Sequence, residues 1–454
     1  MTRLLIRGQR VLLDGQLRPA ALHIVDGKIA DITDFSQIDR ADRIVDAGDL
    51  LVTPGIVDSH VHINEPGRTE WEGFETATQA AAAGGITTVV DMPLNCIPAT
   101  IDRAAAETKY NALRDQLHVN VAFWGGVVPG NTAALQGLAD FGVPGCKCFL
   151  CPSGVDEFGH VTRGDLELAM PRLRDLGQTL LVHAEIPQPL ELAEAELAKS
   201  NADPRLYDTY LRSRPNLAED LAVALVIEMS RKHNAPAHIV HLSSASALPL
   251  LAAAQADGVP ITAETCLHYL SLNAEAIADG ATQYKCAPPI RSLHNQQQLW
   301  QGLQSGVLQM VVSDHSPCTP QLKRQETGDF LGAWGGIASL QLGLSLMWTQ
   351  CQSRGFDVAQ MLRWNAEAPA KLIGLQHKKA KLAIGFDADV VLWDDKAQFR
   401  VDAQKLHHKN KITPYAGQTL RGVVENTFIG GQLAYSRQHG LAAKSVGRFV
   451  AVNR

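Results

Sequence analysis

Between about residues 56 and 314, short apolar runs rich in β-branched residues alternate with longer, Ala- and Leu-rich amphipathic stretches. This alternation restricts the fold more than any other feature of the chain. Strands are expected at 56–63, 86–92, 119–127, 143–149, 179–183, 237–242, 260–265 and 308–313. Helical patterns lie between them, as at Phe74–Gly84, Ile101–Asp115, Leu166–Leu176, Leu217–His233 and Ser244–Asp257. Gly or Pro punctuates several helix ends, as at Gly84-Gly85, Gly142 and Gly258-Val-Pro260. Eight strands alternating with helices predict an α/β fold, a closed (β/α)8 TIM-type barrel rather than an open sheet.

The two ends read differently. Residues 3–52 alternate short β-like runs with turns at Asp14-Gly15, Asp26-Gly27 and Gly48-Asp49, and residues 385–393 and 420–435 do likewise. The expectation is one smaller β domain built from both ends, 1–52 plus 380–454, beside a barrel over 53–379. Helices are expected to continue through 333–373 after the last strand.

A chain of 454 residues, 46% hydrophobic and 19% charged, suits a large globular protein of this kind. A formal net charge of −6 argues against a nucleic-acid partner, which requires clustered Lys and Arg. No apolar run reaches the ~18 residues of a membrane span. Met1-Thr-Arg-Leu-Leu-Ile6 lacks a secretory apolar core, so the expected location is the cytoplasm. The eight cysteines (96, 146, 148, 151, 266, 286, 318 and 351) form no paired Cys-x-x-Cys set, and in a reducing compartment they read as small buried hydrophobes.

The chemistry lies where the strands end. His60 and His62 stand two apart in Gly55-Ile-Val-Asp-Ser-His-Val-His62, and on an extended strand such residues face the same way. Two neutral imidazoles converging on one point are metal ligands in waiting. Lys147 lies near the end of the fourth strand, His183 ends the fifth, His241 the sixth and Asp314 the eighth. Barrel active sites are built at these C-terminal ends. His238 and His241 compete for one role. Three apart on a strand they face opposite ways, and His241, nearer the end, is the one expected to point inward.

Lys147, flanked by Cys146, Cys148 and Phe149, is costly as a buried ammonium. Desolvation favours the neutral amine, which can add carbon dioxide and become a carboxylate able to bridge two cations. Four histidines, that carboxylate and Asp314 suit two divalent ions, zinc first, with manganese, cobalt or iron as alternatives. His60, His62, Lys147 and Asp314 are assigned to one ion, and His183, His241 and the shared Lys147 to the other. Such ions make a strong nucleophile of water near neutral pH, with Asp314 as the proton carrier. This is machinery for hydrolysing an amide-like bond in a small molecule.

These motifs resemble the cyclic amidohydrolases: dihydroorotases, hydantoinases (dihydropyrimidinases) and allantoinases. The resemblance spans nearly the whole chain, through Pro54-Gly-Ile-Val-Asp-Ser-His-Val-His62, Ala83-Gly-Gly-Ile-Thr-Thr88, Gly145-Cys-Lys-Cys-Phe149, His241-Leu-Ser-Ser244, Ala263-Glu-Thr-Cys-Leu-His-Tyr269, Pro288-Pro-Ile-Arg291 and Ser313-Asp-His-Ser-Pro317. It implies an N6-carboxylysine at Lys147, two zinc-type ions, a composite β domain and a homotetramer.

Asn64-Glu-Pro-Gly-Arg-Thr-Glu-Trp-Glu-Gly-Phe-Glu-Thr76, Asp91-Met-Pro-Leu-Asn95, Lys285-Cys286 and Ala333-Trp-Gly-Gly-Ile337 are similar to the allantoinase branch, which implies opening of the hydantoin ring of allantoin. Asn64 stands where dihydroorotases usually carry an Arg for a substrate carboxylate, and Ala287 where the family often has Ser. Asn95, Ala287 and His315 are the expected substrate contacts. A hydantoinase with other substrates is the nearest alternative, and a non-catalytic paralogue the most distant.

Overall fold

A computed structural model describes residues 3–38 and 41–452. The expected strands form a closed barrel: Ile56–Val61, Ile86–Asp91, Asn120–Phe123 continuing as Gly125–Gly126, Gly145–Phe149, Thr179–His183, Ala237–Ile239, Ile261–Cys266 and Met310–Val312. All neighbouring pairs are parallel. Hydrogen bonding divides the barrel into a six-stranded and a three-stranded sheet, with the third strand interrupted at Trp124. The Trp124 indole N–H crosses the interior to donate to Ser59 O at 2.7 Å. First and last strands close through Val61 and His315, where His62 N donates to His315 O at 2.8 Å.

Nearly every residue of these strands is buried, as expected for parallel strands covered by helices on one face and packed inward on the other. The helices begin where the sequence supplies caps. Asp102 accepts from Ala105 N at the start of Arg103–Leu113, and Thr162 with Asp165 forms a capping box ahead of Arg163–Asp175. Helices Pro187–Lys199 and Tyr207–Ser213 fill the long connection between the fifth and sixth strands and bring Tyr210 and Arg214 to the barrel mouth.

The chain ends pair into one sheet, in the order Gly440–Leu441, Gln432–Ser436, Thr419–Ile429, Val390–Arg400, Leu51–Pro54, Arg3–Leu13, Gln16–Val25, Lys28–Thr33, with Arg43–Asp46 also against Arg3–Leu13. Leu51–Pro54 joins the halves, parallel to Arg3–Leu13 and antiparallel to Val390–Arg400. This sheet has its own small core, including Ile6, Leu22, Val52 and Phe428.

One sequence expectation fails in part. Within 333–373 helix starts only at Leu340–Leu342 and runs on through Gly343–Ser353. Residues 333–339 have no regular structure beyond an isolated bridge at Ile337, because Gly335 and Gly336 (φ 145°) let the chain fold back over the barrel. All eight cysteines are free and buried, and burial pushes the Cys146 and Cys151 thiols up to about 12. No helix among the described residues is long and apolar enough to cross a membrane.

Candidate metal centre

The first strand delivers His60 and, one residue past its end, His62. His60 Nδ1–H donates to Glu264 Oε1 at 2.5 Å, which leaves the lone pair on Nε2 facing inward. That nitrogen lies 3.2 Å from Asp314 Oδ1 and 3.3 Å from Lys147 Nζ. His62 Nε2 lies 3.5 Å from the same Asp314 oxygen. The segment just after His62 is pinned from the second strand, where Asp91 Oδ1 accepts from Ile63 N at 2.6 Å.

The other half is built from the fifth and sixth strands. His183 Nδ1 and His241 Nε2 stand 3.0 Å apart. His183 Nε2–H donates to Glu185 Oε2 at 2.7 Å, and Glu185 is held by Arg214, with Nε to Oε1 at 3.0 Å. Phe149 stacks on the His183 ring at 4.3 Å between centroids. His241 Nδ1 is buried with no hydrogen-bond partner among the described residues. Lys147, fully buried, belongs with both halves by position, since its strand lies between those of the two histidine groups.

Strand alternation does not explain His241. The sixth strand ends at Ile239, and His241 takes a left-handed backbone (φ 40°), as do Asp314 (φ 43°) and Asn95 (φ 69°). Such backbone costs about 1–3 kcal/mol for a residue other than glycine, and it concentrates at functional sites. Here it turns the chain so that two strand ends aim side chains at one centre. His238 points into the barrel as well, one layer deeper, with Nδ1 on Thr262 Oγ1 at 2.7 Å and Nε2 on Glu264 Oε2 at 3.1 Å.

Glu264 is the residue that sequence reasoning missed. Its carboxylate takes His60 and His238 and also accepts from His241 N at 3.3 Å. Burial alone would raise its pKa, but these histidines bring it down to about 2. The available signal was a charged Glu inside the strand Ile261–Cys266, whose other residues are Ile, Thr, Ala and Cys. Glu264→Gln should keep the fold and lower metal affinity by about 10–100-fold, as loss of an outer-shell partner does; metal titration of the purified variant measures it.

The electrostatics favour a cation here. Burial pushes His62 down to about 3 and lowers His183 and His241, so these imidazoles are neutral and able to ligate. Burial and the Lys147 charge act the same way on His60, yet Asp314 and Glu264 outweigh them and raise it. A dication answers to that same field. Burial also lowers Lys147 to about 8, despite the opposing pull of Asp314. His60, His62 and Asp314 form one of three sets among the described residues whose ligand atoms all lie within 4.8 Å of one another. Inward nitrogens oriented by carboxylates, a buried carboxylate and a buried amine together fit a centre for two metal ions.

The centre opens into a cavity of about 690 Å³. Asn95 and Ala287 line it, and the Asn95 amide lies 3.3 Å from His62 Nδ1. His315 does not. Its ring lies behind the wall, Nδ1 accepting from Ser339 N at 3.1 Å and Leu340 N at 3.3 Å, with Nε2 3.5 Å from Glu72. It meets the centre through its carbonyl, which holds His62 N.

Comparison with known proteins agrees with this geometry. An allantoinase of Streptomyces avermitilis is 46% identical over 430 residues, 94% of each chain. An allantoinase of Saccharomyces cerevisiae is 41% identical over 99% of each. Among solved structures, the L-hydantoinase (dihydropyrimidinase) from Arthrobacter aurescens superposes with a TM-score of 0.94 at 27% identity, covering 99% of this chain and 100% of its own. The Amidohydrolase family is matched over residues 51–434, and with its barrel, its metal-competent centre and these relatives the chain belongs to that family.

Proposed function

We propose that this chain is a binuclear metal-dependent hydrolase that opens the hydantoin ring of allantoin to give allantoate. The observation that carries the substrate is the 46% identity to an allantoinase over 94% of both chains, against 27% to a hydantoinase of the same fold. The chemistry rests on the two groups of inward nitrogens flanking Lys147 and Asp314.

In this reading Lys147, as the neutral amine that burial favours, takes up carbon dioxide with loss of a proton and becomes an N6-carboxylysine. That carboxylate, His60, His62 and Asp314 would hold one zinc-type ion, and the same carboxylate with His183 and His241 would hold the other. When bound, such ions lower the pKa of water and polarise a carbonyl. Asp314 accepts the proton of the attacking water and passes it to the leaving ring nitrogen. The ring amide C–N bond breaks, leaving a carboxylate and a second ureido group. Glu264 and Glu185 fix the tautomers of His60 and His183. Asn95 and the main chain at Ala287 meet the substrate, and His315 holds His62 from behind.

The division into a composite β domain (1–52 plus 380–454) and a barrel (53–379), a homotetramer and a cytoplasmic location belong to the same reading. Light scattering checks the assembly.

The deciding experiment is hydrolysis of allantoin, hydantoin, dihydrouracil and dihydroorotate by one zinc-loaded preparation, with metal measured on the same sample. Preference for allantoin with about two ions per chain is expected. Two ions with turnover only of the other rings would keep the mechanism and replace the substrate with that of a hydantoinase. Neither metal nor turnover would overturn both.

A further inference from the structure

Three loops meet over the cavity in contacts that take no part in the chemistry above. Trp334 lines the cavity and packs edge-on against Trp71, with ring centroids 4.8 Å apart. A Cβ on Gly154 would come within 3.7 Å of the Trp334 ring. Arg68 lies 5.3 Å from the Trp71 ring centre and pairs with Glu157. The loops after the first, fourth and eighth strands are thus joined in a ring at the mouth. The Trp334 indole nitrogen is buried with no acceptor among the described residues, so packing alone fixes this side chain.

The main chain carrying Trp334 is held in an unusual way. Lys285 Nζ donates to Leu331 O at 2.9 Å and Ala333 O at 2.6 Å, and lies 4.9 Å from the Tyr210 ring centre. Lys323 Nζ donates to Lys285 O at 3.1 Å, Trp334 O at 3.0 Å and also Gly336 O. Both lysines are buried, 8% and 3% exposed, and neither forms an ion pair with a described carboxylate. Burial without a counter-ion is costly, and it pushes Lys285 down to about 7 and lowers Lys323 as well. An apolar side chain would sit there at less cost. What the lysines add is four hydrogen bonds to the carbonyls of 331, 333, 334 and 336, in a stretch with no helix or strand to satisfy them.

We propose that Trp334 sets the size of ring substituent the site admits, and that Lys285 and Lys323 are positioning residues that fix it by clamping the main chain from Leu331 to Gly336. A small polar ureido tail passes under the indole; a bulky aromatic substituent does not. This rests on the cyclic-amide reading above.

The test compares zinc-loaded wild type, Trp334→Ala and Lys285→Met. It reads kcat and KM for allantoin and 5-benzylhydantoin, calorimetric binding of both compounds, and hydrogen exchange over 328–337. Trp334→Ala should raise the preference for 5-benzylhydantoin over allantoin by about tenfold or more with metal content unchanged. Lys285→Met should shift preference the same way and speed exchange at 331–336. An unchanged preference in Trp334→Ala overturns the size limit. Unchanged exchange in Lys285→Met overturns the clamp. Should Lys285→Met not fold, Lys285→Arg replaces it, since a guanidinium fork does not fit between two carbonyls shaped for an ammonium. If wild type opens neither ring, the hydrolase reading falls, and the binding preference of Trp334→Ala still decides the size limit.

Discussion

Lys147→Ala should contain little metal and lose at least about 1,000-fold in turnover, the effect of removing several kcal/mol of transition-state stabilisation. The argument starts from burial. Lys147 is 1% exposed, lies at the middle of the strand Gly145–Phe149 and faces His60 Nε2 at 3.3 Å. An ammonium there would repel both ions, whereas a carboxylate on the same nitrogen would attract both.

Alanine removes a side chain whose strand lies between those of the two histidine groups, so in the proposed centre each ion should lose a ligand at once. Metal analysis with an allantoin assay on the same sample measures the effect. Short carboxylic acids or bicarbonate should restore part of the activity by occupying the space the side chain leaves. A variant with full metal content and wild-type turnover would show that the centre needs no carboxylate at this position.

The parts of this protein that can be read from its sequence are those set by local pattern. Each expected barrel strand contains the observed one or nearly so, because a parallel strand buried on both faces is a short stretch rich in apolar and β-branched residues. His60, His62, Lys147, His183, His241 and Asp314 stand out because each is a polar interruption within or just after such a run.

What cannot be read is set by partners distant in sequence. Glu264 meets His60 across 204 residues, and no spacing rule connects them. Arg214 reaches Glu185 only because two helices in an irregular connection fold back to the mouth. Strand alternation selects His241 for the wrong reason. Its direction comes from a left-handed turn after the strand, while His238, on the strand, also faces inward. A left-handed backbone forced by tertiary closure cannot be read from a single His or Asp, which sit far more often in ordinary backbone. The 333–339 segment falls within the stretch expected to continue as helix, but its Gly pair and the carbonyls that Lys285 and Lys323 satisfy decide otherwise.

Asp314→Asn should keep most of its metal and lose about 10²–10⁴-fold in kcat, the range that proton transfer by a positioned side chain contributes. Asparagine is the informative replacement for a backbone reason. Asp314 sits at φ 43°, and Asn adopts left-handed backbone about as readily as Asp, whereas Ala would add strain and confuse structure with chemistry. Burial by itself would raise the Asp314 pKa, but the charge and hydrogen bonds of His60, with His62, hold it well below the ordinary carboxylate range. The carboxylate is therefore ionised throughout the working pH range and can accept a proton whenever a stronger acid forms beside it. The carboxamide that replaces it would keep one oxygen for a ligand but could not take up and release that proton. The split between retained metal and lost kcat, measured on one sample, separates proton transfer from metal holding. Wild-type kcat in the variant would assign the proton to another group, and parallel loss of metal and activity would reduce Asp314 to a ligand.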